Sequence, residues 1–355
     1  MAAMCTLGEK AGQQDSLMVM FWNLENFFDW KNDTTSVSDA EFSSRGERHW
    51  TRKKFMAKAQ AVAKTVLWAE GVAGRLPDAV GVAEVENAGV LRRLLKETTL
   101  RKLDYEAVHF DSPDPRGIDV GLLYRKGVFE KIDARPVPVG DSTFRTRDIL
   151  YVALKHRGSG KDYVMLVNHH PSKFSGAKSS ESKRKAAIAA LRALAEDSVR
   201  SQTIPAPSPE TTSVQPPQTS PAPSPETAPA PQPTASGTSQ ASTGQQTPPA
   251  IIAMGDFNDT PDSPLFLGLT PPLVNLSLPL WRKGKGSIRF DGRWELIDLY
   301  FVSENISSAR VDVLRPPFLL QEDRARGGFK PRRTYLGPRY NGGVSDHLPV
   351  VLLLP

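Results

Sequence analysis

The stretch Ile251–Asp259, IIAMGDFND, decides how the rest of the chain reads. Four apolar residues run without alternation into Gly255, the pattern of a strand covered on both faces. Gly255 marks the end of that run, where backbone can approach a ligand closely. Asp256 and Asn258, two apart on an extended segment, would present a carboxylate and an amide to a common point. Such a pair suits a hard cation or a phosphate oxygen, although the same residue types also cap an ordinary turn after a core strand.

The same punctuation recurs outward from this stretch. Leu17–Trp22 (LMVMFW) ends at Asn23, and Pro77–Val85 (PDAVGVAEV) delivers Glu84. Ile118–Arg125 (IDVGLLYR) carries Asp119 and Tyr124, and Tyr163–Val167 runs into Asn168, His169 and His170. Trp294–Ser303 reads as one apolar strand interrupted by Asp298, and Asp346 with His347 precedes the terminal VVLLL. A buried carboxylate costs several kcal/mol unless it is paired or bound to a metal, so these acids ask for cations. The histidines among them supply acid–base groups near neutral pH. Oxygen donors with Cys5 as the one cysteine point to Mg²⁺ or Mn²⁺, not to structural zinc.

Between the strands, Lys53–Ala69 has the apolar spacing of an amphipathic helix, and Ser182–Arg200 is rich in helix formers. Ile149–Lys155 and Tyr163–Val167 read as a hairpin. Strands outnumber helices and are often sequential neighbours, which favours an α/β sandwich over a doubly wound parallel sheet.

Formal net charge is +6 over 355 residues. Residues 201–249 contain two charges, Glu210 and Glu226, so the remainder holds 6 + 2 = +8. A basic balance favours polyanionic partners, nucleic acid or anionic lipid headgroups. Thirteen of the 30 prolines fall in 201–249 among Ser, Thr, Gln and Ala, a composition expected to stay disordered. Residues 1–16 are expected to be a flexible N-terminus without the apolar core of a signal peptide, and no run approaches a membrane span. A cytoplasmic monomer is the corresponding expectation.

Seven motifs in order, FWNLEN, VAEVEN, RGIDVGLLY, VNHHPS, GDFND, LIDLYFVS and SDHLPV, resemble the endonuclease/exonuclease/phosphatase superfamily with its deoxyribonuclease I-like fold. The resemblance implies one domain over 17–355, with 201–249 inserted inside it. It implies an α/β four-layer sandwich of two packed, mostly antiparallel sheets flanked by helices. It also implies a Mg²⁺-dependent phosphoesterase, expected to be a nuclease that cleaves nucleic-acid phosphodiesters by in-line attack of water. A phosphomonoesterase or lipid-headgroup phosphatase is the alternative, and an inactive binding module the third. By the same resemblance, Glu84, Asn23 and Asp346 hold the metal, and Asp256 and Asn258 orient water and phosphate. His347 is a base or phosphate-stabilising group held by Asp298. His169, preferred over His170, binds or protonates the phosphate, is oriented by Asp119, and is helped by Tyr124 from the same strand as Asp119.

Overall fold

The computed structural model describes residues 16–33, 36–140, 144, 146–173, 177–200 and 247–355; the expectations of a flexible N-terminus and a disordered insertion, apart from residues 16 and 247–249, lie outside these. Strands β1 (Leu17–Phe27), β2 (Ala79–Val85), β3 (Tyr105–His109) and β4 (Asp119–Arg125) come first, with helices α1 (Val37–Glu41), α2 (Arg52–Ala73) and α3 (Ala88–Glu97) between them. Strands β5 (Phe129–Val137), β6 (Ile149–His156) and β7 (Asp162–His169) then precede helix α4 (Ala177–Arg200) and strand β8 (Ala250–Asp256). After β9 (Leu273–Asn275) and α5 (Leu278–Arg282), a hairpin of β10 (Ile288–Phe290) and β11 (Arg293–Glu295) leads to β12 (Asp298–Ser303) and β13 (Arg310–Val313). Two more hairpins, β14 (Leu320–Glu322) with β15 (Phe329–Pro331) and β16 (Tyr335–Leu336) with β17 (Arg339–Tyr340), run into β18 (Val350–Leu354).

Two six-stranded sheets result, in the orders β13-β18-β1-β2-β4-β3 and β5-β6-β7-β8-β12-β9. In each sheet the two central strands are parallel, β1 with β2 and β7 with β8, and the other neighbours are antiparallel. This is the expected pair of mostly antiparallel sheets. A parallel neighbour needs a crossover, which α2 supplies between β1 and β2 and α4 begins between β7 and β8. The central strands are buried throughout, which is why LMVMFW and IIAM show no alternation. The sheets face each other: Tyr300 of β12 donates its hydroxyl to the Val19 carbonyl of β1 at 2.9 Å. They also meet at Gly81, where a Cβ would stand 2.9 Å from the Met254 sulfur. On the outer face of the first sheet, Phe55 of α2 stacks on Phe27 at 5.2 Å.

Three local readings change. Gly255 is interior to β8, and its missing Cβ would stand 2.3 Å from the Asn168 carbonyl oxygen; the glycine serves the close approach of β7, not of a ligand. Trp294–Ser303 is not one strand, because Leu296 and Ile297 separate β11 from β12 and Asp298 opens the latter. Strand β5 has no counterpart among the expected strands. It is an edge strand with mostly half-buried or exposed side chains and tolerates Pro136, so neither periodicity nor composition marks it.

Candidate active site

Four buried strands deliver residues of their C-terminal halves to one place. Asn23 and Glu84 stand near the ends of parallel β1 and β2, His169 and Asp256 at the ends of parallel β7 and β8, so both sheets feed the cluster from the same end. Its hub is one carboxylate oxygen. Asp256 Oδ2 accepts a hydrogen bond from Asn23 Nδ2 at 3.0 Å and lies 3.7 Å from His169 Nε2 and 3.8 Å from His347 Nε2. Glu84 Oε1 is 3.8 Å from the same His169 nitrogen.

Irregular backbone aims these groups. The β1–β2 register shifts between Asn23 and Phe27, and Glu84 takes φ +59°, a left-handed conformation uncommon outside glycine. Glu25 and Asn26 share it at +46° and +52°. With the chain so turned, Glu84 Oε2 accepts the Asn26 N–H at 2.9 Å. Asn258, at φ +51°, is also left-handed and lies beyond β8, so the extended-segment reading of Asp256 and Asn258 does not hold. A turn places Asn258 instead: its N–H donates to Asp256 Oδ1 and its side-chain amide to the His170 carbonyl, both at 2.9 Å.

The His347 ring is held on its other side. Nδ1 is 2.8 Å from Asp298 Oδ2, and Ser345 Oγ accepts the His347 N–H at 2.9 Å while donating to the Asn23 carbonyl at 2.7 Å. Burial alone would lower the His347 pKa. The Asp298 carboxylate outweighs it by charge and hydrogen bond, Asp256 and Asp346 add to the effect, and the imidazole is held well above its ordinary value. Burial first, and Asp298 second, push the Asp256 carboxyl up to about 7 against the pull of His347. His169 is held well below its ordinary value by burial and by Arg147, and is neutral.

A second layer of charge borders this cluster. Glu25 accepts from Arg333 Nε at 2.6 Å and from the Thr334 N–H at 2.9 Å, while Arg333 Nη2 reaches Asp346 Oδ2 at 3.2 Å. Lys58, wholly buried on α2, donates to the Glu25 carbonyl at 2.5 Å and to Thr334 Oγ1 at 2.9 Å. Burial lowers the Lys58 ammonium to about 8 despite Glu25, Glu84 and Asp346.

Of the residues named from sequence, Asn23, Glu84, His169, Asp256, Asn258, Asp298, Asp346 and His347 come together. Two do not act as expected. Asp119 accepts from the Ser112 N–H at 2.9 Å and faces His109 Nε2 at 3.3 Å, with no bond to His169 among the described residues. Tyr124 pairs with Ala79, at the far end of β2 from Glu84, and its hydroxyl donates to Glu106 at 2.9 Å. Strand β4 runs antiparallel to β2, so five residues of rise carry Tyr124 about 17 Å from Asp119. The paired histidines separate cleanly: His170 packs edge-on against Phe257 with ring centroids 4.6 Å apart, and neither ring nitrogen has a hydrogen-bond partner among the described residues. Arg333 and Lys58 also belong to the site. Lys58 left a signal: it sits three residues from Phe55 and four from Val62, on the buried face of α2.

A family model described as Endonuclease/Exonuclease/phosphatase family matches residues 18–204 and 238–355. The chain belongs to this family. No curated protein matches it. Among solved structures it resembles an endonuclease/exonuclease/phosphatase family protein from Bacteroides thetaiotaomicron, with 15% identity, 96% of this chain and 97% of that chain covered, and TM-score 0.54. A mannosyl-6-phosphatase of Bacteroides thetaiotaomicron gives 15%, 96%, 99% and 0.54. D. rerio TDP2 complexed with single strand DNA product gives 13%, 96%, 99% and 0.51. At such identities the likeness is one of fold: the α/β sandwich of the endonuclease/exonuclease/phosphatase family.

Proposed function

We propose that this chain is a divalent-metal-dependent phosphodiesterase whose substrate is nucleic acid. The observation that carries the reading is the convergence of Asn23, His169 and His347 on Asp256 Oδ2, with Glu84 against the same His169 nitrogen. The donor set fits a hard cation. Carboxylates of Glu84 and Asp346 and the amide of Asn23 are oxygen donors, and burial pushes Asp256 and Glu25 up to about 7, a sign that the site's own cations do not fully balance its acids. Glu84, Asn23 and Asp346 would hold Mg²⁺ or Mn²⁺, which when bound supplies charge stabilisation to the non-bridging phosphate oxygens.

The remaining chemistry rests on this chain's own groups. Asp256, with a carboxyl near 7, is matched to take a proton from an attacking water at neutral pH. His347, kept protonated by Asp298, presents Nε2–H as a donor to developing negative charge, which makes it a stabilising acid and not a base. Neutral His169 offers a second donor, and Asn258 borders the water that Asp256 deprotonates. The nucleic-acid choice is supported by the basic balance of the chain and by the fold likeness to a TDP2 whose structure contains a single-strand DNA product.

The test is a panel of plasmid DNA, RNA, bis(p-nitrophenyl) phosphate and p-nitrophenyl phosphate with Mg²⁺, Mn²⁺ or EDTA. Diester turnover that needs metal and stops in EDTA is expected, and His347→Ala should cost about a hundredfold or more. Turnover of the monoester alone would move the reading to a phosphatase, and no metal-dependent turnover at all would end it.

A further inference from the structure

Beyond the catalytic cluster lies a cavity of about 550 Å³ between helix α3 and edge strand β3. Its floor includes Leu95, Leu103 and Tyr105, and four cations, Arg92, Lys96, Arg101 and Lys126, line it from three separate segments. The one carboxylate in the lining, Glu106, already accepts the Tyr124 hydroxyl. Neighbouring cations are neutralised: Arg93 and Arg52 pair with Glu97, and Arg125 pairs with Asp104 and Asp78. None of the four lining cations makes an ion pair among the described residues. Arg92 and Lys96 are four residues apart on α3, a like-charge spacing that disfavours a helix unless an anion relieves it.

One end of the cavity lies toward the C-terminal end of β2, the end that carries Glu84. Ala88, four residues after Glu84, and His109, which faces Asp119 at 3.3 Å beside the Val85 pairing, line its near end. From Ala88 to Lys96 the helix rises about 12 Å. That length spans more than one phosphate of a nucleic-acid strand. Converging cations over a low-dielectric floor focus the field and attract a polyanion.

We propose that this basic cavity is a binding groove for the phosphate backbone of a single-stranded nucleic acid, continuing the substrate path away from the catalytic cluster. The inference rests on the nucleic-acid reading of the site and extends it to a second contact region.

The test uses the full chain in EDTA with a short fluorescent single-stranded oligodeoxynucleotide, followed by anisotropy across a salt series. Arg92→Ala with Lys96→Ala, and separately Arg101→Ala with Lys126→Ala, should each weaken binding tenfold or more. Each pair should also flatten the slope of log affinity against log salt by about 1.4, two single-strand contacts' worth. Removing equal charge from α4, by Arg192→Ala with Arg200→Ala, should change neither quantity. Turnover of bis(p-nitrophenyl) phosphate, too small to reach the groove, should stay within twofold in both groove variants. Wild-type oligonucleotide affinity and slope in both groove variants would overturn the proposal and leave a merely solvated basic face. So would absence of oligonucleotide binding by the wild type. Failure of the groove with intact diester turnover leaves the phosphodiesterase reading standing; failure of metal-dependent diester turnover removes that reading by itself.

Discussion

On an extended strand successive side chains point to opposite faces, so His169 and His170 enter different surroundings although they are neighbours. His169 turns toward Glu84 and Asp256; His170 turns into the core against Phe257. Burial, with Arg147 and Arg184 close by, lowers the His170 pKa to about 3. A pKa depressed in the folded state means that the unfolded chain binds the extra proton first. This histidine therefore subtracts stability as pH falls from about 6.5 toward 3 and subtracts none above 7. In His170→Phe the acid side of a melting-temperature profile should be flatter than in the wild type, and above pH 7 the difference should be constant. At neutral pH the change itself should stay within about 1 kcal/mol, since both ring nitrogens lack partners among the described residues. A parallel acid limb in the two proteins would mean that His170 is not buried neutral. The residue types and strand ends of the site were legible because acids and histidines in apolar runs are conspicuous. Their pairing was not: whether Asp119 meets His169 or His109, and which end of a sheet holds Tyr124, depends on register that one strand does not encode.

Helix α2 shows how an element can carry function inside an ordinary pattern. Its apolar face, Phe55, Ala59, Val62 and Val66, covers the first sheet, and Lys58 lies on that buried side with its ammonium at the Glu25 carbonyl and Thr334. A buried cation is held by the bonds its partners provide, so Lys58→Met, which keeps the stem and removes the charge, should cost about 2 kcal/mol. Because Glu25 then loses a cation that favours its ionised form, its carboxyl should rise further above about 7. Denaturant unfolding measures the first effect. Unchanged stability would show that Lys58 is a passenger on the helix face. The helix itself was visible from spacing, as were the central strands from continuous apolar runs. The left-handed turns at Glu84 and Asn258 were not, since neither residue is a glycine whose presence would advertise positive φ.

For the whole molecule the decisive feature is that each sheet is built around a central parallel pair whose C-terminal ends face a common site. Residues 201–249 join β8 at Ala250, whereas Asp256 stands at its other end. Seven residues of strand span about 20 Å, so Ala250, where the chain enters β8, lies at the end of the strand opposite the cluster. The family match also skips residues 205–237, while β7 and β8 pair side by side from Tyr163↔Ala250 to His169↔Asp256. Shortening a long connection between paired strands changes closure entropy by only about 2 kcal/mol, in the stabilising direction. Deletion of residues 205–245 should therefore leave the melting temperature equal to or slightly above that of the full chain. Diester turnover should stay within twofold, because every described partner of Asp256, His169 and His347 is retained. A protein that fails to fold would give the segment a structural role. Loss of turnover in a folded protein would show that it reaches around the sandwich to the site.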